Sequence, residues 1–174
     1  TNGVIPLGGV VCRDFIYNAM MNAGAPDYAV EFFHGYTYSG HPVAAAVALA
    51  NLEIMQRERV IERVRDTLTP YWAKRWAELG DHPLVGEARS LGLFGALELV
   101  PRKPSRTFFP ERGSVGTRAR DLAIGNGLVM RAVWDTLIVA PPLVIRESEI
   151  DELVEKARLT LDQLRDALHR DGLV

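Results

Sequence analysis

The spacing of apolar positions changes along the chain, and each change predicts an element. Val10-Val11-Cys12, behind the punctuation of Pro6 and Gly8-Gly9, is a short fully apolar run that suits a strand buried on both faces. Phe15, Ile16, Ala19 and Met20 then recur at helical spacing, and Gly24-Ala25-Pro26 ends that helix. A second helix is expected from Pro42, with proline in the first turn and Ser39 placed to cap it. Val43 to Ile54 is apolar almost all round, which predicts burial.

From Gln56 to Glu78 the pattern becomes amphipathic, with Val60, Ile61, Val64, Leu68, Trp72 and Trp76 on one side and Arg57, Arg63, Arg65 and Lys74 on the other. Pro70 falls inside this stretch and should kink or restart it, because it lacks an N–H and crowds the preceding turn. The change of pattern sets a domain boundary, with residues 1–56 as the end of a larger α/β domain and 57–174 as a small α+β domain. Within the second part, Glu87 to Ser90 and Leu93 to Val100 read as paired strands, with Leu93, Gly95, Leu97 and Leu99 on one face. Ser114 can cap a helix ended by Gly125-Asn126-Gly127, and Leu128 to Val133 and Leu137 to Ala140 form a second strand pair around Trp134-Asp135. Ile150, Leu153, Val154, Ala157, Leu161, Leu164 and Leu168 make the stripe of a final helix.

Charge and cysteine content narrow the function. The 174 residues carry a net charge of −2 with basic and acidic residues interleaved, so no extended basic surface for nucleic acid or anionic lipid is expected. The longest apolar stretch falls short of the roughly 20 residues of a membrane helix. Cys12 is the only cysteine, which excludes an intramolecular disulfide and a cysteine-based zinc site and makes the cytoplasm the expected location. The opening Thr1-Asn2-Gly3 has neither an initiator methionine nor the look of a targeting peptide, as expected for a piece of a longer protein.

Two places could carry chemistry. His34 to Pro42 is dense in glycines and hydroxyls and leads into a helix N-terminus, where the free N–H groups and the hydroxyls of Thr37 and Ser39 would favour a phosphate or carboxylate; the competing reading is a plain helix cap. Arg131 lies between Val129 and Val133 on what reads as a half-buried strand face, where its guanidinium would either receive a substrate carboxylate or pair with an internal acid. His34, His41, His82 and His169 show no metal-ligand spacing and read as surface or turn residues, while Trp72 and Trp76 read as core.

The segment Ala29-Val30-Glu31-Phe32-Phe33-His34-Gly35-Tyr36-Thr37-Tyr38-Ser39-Gly40-His41-Pro42-Val43-Ala44 closely resembles the class III pyridoxal-phosphate-dependent aminotransferases, in particular the omega-amino acid–pyruvate (β-alanine–pyruvate) branch. Thr1 to Gly9 looks like the stretch after that family's Schiff-base lysine. Leu91-Gly92-Leu93-Phe94-Gly95-Ala96 looks like its small-domain hairpin, and Arg131, Asp135 and Ala140-Pro141-Pro142-Leu143 look like its carboxylate-binding strand pair.

The resemblance implies an α/β protein of PLP fold type I, made of the end of the large domain and the whole C-terminal small domain. It implies pyridoxal 5'-phosphate as cofactor and a homodimer or higher homo-oligomer, with Thr37 contacting the phosphate in the partner subunit's site and Tyr36 lining the same pocket. It also implies that Arg131 binds the substrate carboxylate and swings aside for substrates without one. The expected activity is transfer of an amino group from an omega-amino acid or amine to pyruvate, with the Schiff-base lysine upstream of Thr1 and no catalytic residue in this chain. Trp134 departs from the family at a position where glycine is expected, and Arg146 stands where Ser or Thr usually caps the last helix, at a cost of about 1 kcal/mol unless Ser148 substitutes. Two alternatives remain: a non-catalytic α/β module for dimerisation or ligand binding, and another class III enzyme such as an aminomutase or ornithine-type transaminase.

Overall fold

The computed structural model describes residues 42–103 and 107–174, so the strand and helix expected before Pro42, together with His34, Tyr36, Thr37, Ser39 and His41, lie outside the described residues. The chain divides into two compact units at Arg59/Val60. The first contributes helix α1 (Pro42–Arg57). Its Val47, Leu49, Leu52 and Ile54 are exposed, so the burial expected of this apolar helix is not met among the described residues. The helix stops at Glu58-Arg59, where Arg59 takes φ 51°, in the left-handed region that α-helix cannot continue through.

The second unit begins with an amphipathic stretch of three parts. Helix α2 (Val60–Arg63) passes through a π-helical segment, Val64–Leu68, into α3 (Thr69–Ala77) and a 3₁₀ turn, Glu78–Asp81. Pro70 restarts the helix as its chemistry requires. It lies in the first turn of α3, while the N–H of Thr69 reaches back five residues to the carbonyl of Val64, the wide bond of a π turn.

A four-stranded antiparallel sheet follows, in the order β1-β2-β4-β3, formed by β1 (Val85–Leu91), β2 (Phe94–Leu99), β3 (Arg131–Val133) and β4 (Thr136–Val139). Between the two strand pairs runs α4 (Ser114–Gly125), and α5 (Glu147–Arg170) closes the chain. Leu93, Leu97, Leu99, Leu137 and Val139 share a core with α3, α4 and α5, and every member of the expected α5 stripe is buried there.

Trp72 and Trp76 stack at 4.7 Å between ring centroids, and their indole N–H groups donate to the carbonyls of Phe94 and Ala96, at 3.3 Å each. Gly95 lies between these anchor points, and a Cβ there would come within 2.6 Å of both rings. The glycine is therefore a packing requirement of this strand. At the start of α5 the expected role of Ser148 is taken by Glu149. Its carboxylate accepts the backbone N–H of Arg146 at 2.8 Å and pairs with the Arg146 side chain, and these two bonds to Arg146 hold its pKa below the usual carboxylate range.

Candidate functional site

The hairpin β3–β4 carries Arg131, the candidate carboxylate-binding residue. Its register, Arg131 opposite Ile138 and Val133 opposite Thr136, leaves a two-residue turn, Trp134-Asp135. Trp134 takes φ 53°, the backbone region where glycine is free and a larger side chain is strained. This is the position at which the family resemblance led to an expectation of glycine. The tryptophan is accommodated because its ring lies outward, 63% exposed, with the Arg112 guanidinium 5.1 Å from it and 4.7 Å from the Phe108 ring.

Asp135 is buried and faces the start of α4. One carboxylate oxygen accepts the N–H of Gly113 and the other that of Gly116, each at 2.9 Å, while its backbone carbonyl accepts the N–H of Leu99 at 2.9 Å. The expected capping of α4 by Ser114 is thus corrected. The Ser114 hydroxyl donates to the carbonyl of Glu111, and the donors of the first turn are met by an aspartate from the hairpin. No local pattern marks such a cap, because donor and acceptor are 19 residues or more apart. The approach is so close that a Cβ on Gly116 would stand 2.0 Å from the carbonyl oxygen of Trp134.

Along the strand the alternation is clean. Leu128 and Met130 are buried and Ala132 is partly so, whereas Val129, Arg131 and Val133 are exposed. The half-buried face expected for Arg131 is therefore an open one. Its guanidinium has neither an ion pair nor a hydrogen bond among the described residues, and the internal acid expected as one alternative is not found among them. Cross-strand register sets Arg131 in a row with Ile138, Ala96 and Arg89. At the far end of that row Arg89 is already engaged by Glu87 and Glu98, at 2.9 and 3.1 Å. Of the two arginines in this row, Arg131 is the one without an acidic partner among the described residues. An open depression of about 560 Å³ lies elsewhere, between the start of α4 and the hairpin, lined by Glu111, Arg112, Thr117, Ala132 and Trp134. Ala132 and Trp134 alternate with Arg131, so this depression is not the place Arg131 serves.

His82, expected at the surface or in a turn, is in a turn but buried. Its Nδ1 accepts the N–H of Leu84 at 3.2 Å, and Nε2 stands 3.4 Å from Asp162 without a hydrogen bond. Burial pushes its pKa below the ordinary histidine value; Asp162 opposes that shift and Arg165 and Arg158 add to it. Among the described residues no cluster of His, Cys, Asp and Glu is arranged for a metal, and no helix is long and apolar enough to cross a membrane.

Residues 1–161 match the family described as Aminotransferase class-III. The chain belongs to the class III aminotransferases. It is 54% identical over 168 residues to a putrescine–pyruvate aminotransferase of Pseudomonas aeruginosa, covering 97% of this chain and 35% of that protein. It is 35% identical over 167 residues to an omega-amino acid–pyruvate aminotransferase of Pseudomonas putida, covering 95% and 35%. Among solved structures, the omega-transaminase of Pseudomonas jessenii in complex with PMP superposes with a TM-score of 0.72 at 36% identity, over 78% of this chain and 30% of that one. The class III chain thus spans about a third of the length of the curated relatives it matches.

Class III aminotransferases work with pyridoxal phosphate, and the described residues do not by themselves form a site for it. The chain has three lysines. Lys103 donates to the carbonyl of Gly80, Lys156 pairs with Glu152, and Lys74 is exposed on α3. None stands where a Schiff base could be sheltered. Tyr36 and Thr37, which the resemblance assigns to the cofactor, lie outside the described residues.

Proposed function

We propose that this class III chain is the C-terminal part of an omega-aminotransferase that moves an amino group from an omega-amino acid or amine to pyruvate, the rest of the enzyme supplying the Schiff-base lysine. The observation that carries this reading is the open guanidinium of Arg131, set on a pinned hairpin in a chain whose relatives are named for pyruvate-coupled transamination. In it Arg131 holds the carboxylate of the keto acid bidentately, as a planar fork suits. Thr37, with Tyr36 beside it, contributes to holding the pyridoxal phosphate across a subunit interface, which makes the enzyme a homodimer or higher homo-oligomer, and its place is the cytoplasm. The 54% identity to a putrescine–pyruvate enzyme favours donors with a terminal primary amine.

The full-length enzyme, incubated with pyruvate and in turn with putrescine, β-alanine or a 1-arylethylamine, is expected to form alanine with at least one donor; no alanine with any of them overturns the reading. Arg131→Ala is expected to lower the keto-acid half-reaction tenfold or more beyond its effect on the arylamine half-reaction, and Thr37→Ala to weaken cofactor retention on dialysis. Equal loss in both halves would remove Arg131 from the carboxylate site.

A further inference from the structure

Arg131 stands on a strand of only three residues at the edge of the sheet, which by itself holds a guanidinium loosely. What fixes the strand lies at its other end. The turn that follows is clamped from two sides: the Asp135 carboxylate spans the N–H groups of Gly113 and Gly116, and the Asp135 carbonyl takes the N–H of Leu99 from β2. The clamp is also steric. The start of α4 lies against the Trp134-Asp135 backbone so closely that Gly116 has no room for a methyl group, the Asp135 Cα being 2.9 Å from where a Cβ would be. A carboxylate at a helix N-terminus is further favoured by the helix dipole.

We infer that Asp135 is a positioning residue for Arg131. By joining the hairpin turn to α4 it sets the height and direction of β3, and with them the point at which the guanidinium meets a substrate carboxylate. Asp135 itself faces α4 and touches neither substrate nor cofactor. A displaced turn would leave the guanidinium intact but misplaced, and bidentate recognition tolerates small errors poorly. This inference rests on the carboxylate-binding reading of Arg131 given above.

The test compares Arg131→Ala, Asp135→Ala and Asp135→Asn in the full-length, cofactor-loaded enzyme, measuring separately the half-reaction with pyruvate and that with a 1-arylethylamine. Asp135→Ala is expected to raise KM for pyruvate at least fivefold more than KM for the arylamine, with kcat moving less than KM. Asp135→Asn keeps one acceptor oxygen but turns an NH2 group toward the other glycine N–H, and is expected to give a smaller selective rise, of about twofold or more. Amide hydrogen exchange at Gly113 and Gly116 should speed up in the alanine variant. If Arg131→Ala is selective for the pyruvate half while both Asp135 variants slow the two halves equally, or neither, the positioning role is overturned and the Arg131 reading stands. If Arg131→Ala is not selective, both fall. Should Asp135→Ala fail to fold, the asparagine variant decides alone, with a selective rise in KM for pyruvate of twofold or more supporting the role and an unchanged ratio refuting it.

Discussion

Trp134 occupies a left-handed turn at φ 53°, where a side chain costs about 1 kcal/mol or somewhat more relative to glycine. Against that stands its contact with the Arg112 guanidinium, which at an exposed site contributes about 0.5–1 kcal/mol. The two effects nearly cancel. Trp134→Gly is therefore expected to shift unfolding free energy by no more than about 1 kcal/mol, while Trp134→Val, which puts a β-branched residue at positive φ and gives up the ring, should be less stable than the glycine variant by about 1–2 kcal/mol. Denaturant melts of the three proteins check the order; a glycine variant weaker than the valine one would show that ring packing outweighs backbone strain. His82 gives a pH signature. Because burial depresses its folded pKa, the unfolded chain takes up a proton first as pH drops below about 6.5, so the His82 contribution to stability is steady above that value. It then declines until the folded state is protonated too. His82→Asn keeps an acceptor for the Leu84 N–H and should remove this component, so the difference in melting temperature between pH 7.5 and 5.5 should be smaller in the variant.

The clearest element-scale device is the pairing of α3 with β2 through two stacked indoles on one glycine. Gly95→Ala puts a methyl group 2.6 Å from both rings, and neither ring can retreat without losing its hydrogen bond to the strand. A loss of about 1–3 kcal/mol is expected, read as a lower denaturant midpoint. Those indoles were legible as core from helical spacing, as were the face Leu93, Gly95, Leu97 and Leu99 and the whole stripe of α5, because burial in a small two-layer unit follows periodicity directly. The features that periodicity does not carry were missed. The stop at Glu58-Arg59 depends on one residue adopting a left-handed φ that any sequence can hide. The α4 cap comes from a distant hairpin, and the burial of His82 depends on α5 packing back over the turn. Of the site, Arg131 could be singled out from sequence, but its lack of an acidic partner among the described residues could not, since ion pairing is a property of neighbours in space.

At the scale of the molecule, helices α3, α4 and α5 gather behind one face of the sheet, and the other face, with Leu91, Phe94, Val133 and Arg131, is open among the described residues. This class III chain spans about a third of its relatives' length. The order β1-β2-β4-β3 makes the Arg131 strand a terminal one, with a row of main-chain donors and acceptors that no described strand pairs. Open rims of this kind recruit further strands from other molecules unless they are short or carry charge, and β3 is three residues long with an arginine between Val129 and Val133. By this reasoning the Arg131 guanidinium is expected to act also as a gatekeeper against self-association. Arg131→Leu, which puts an apolar side chain on this open face, should accordingly raise light scattering during expression or mild heating, and Arg131→Lys should not. Equal scattering from the two would assign the protection to strand length alone. Adapting this site to bulkier, uncharged amines would then carry a colloidal cost, greatest while the hairpin is still waiting for the rest of its chain.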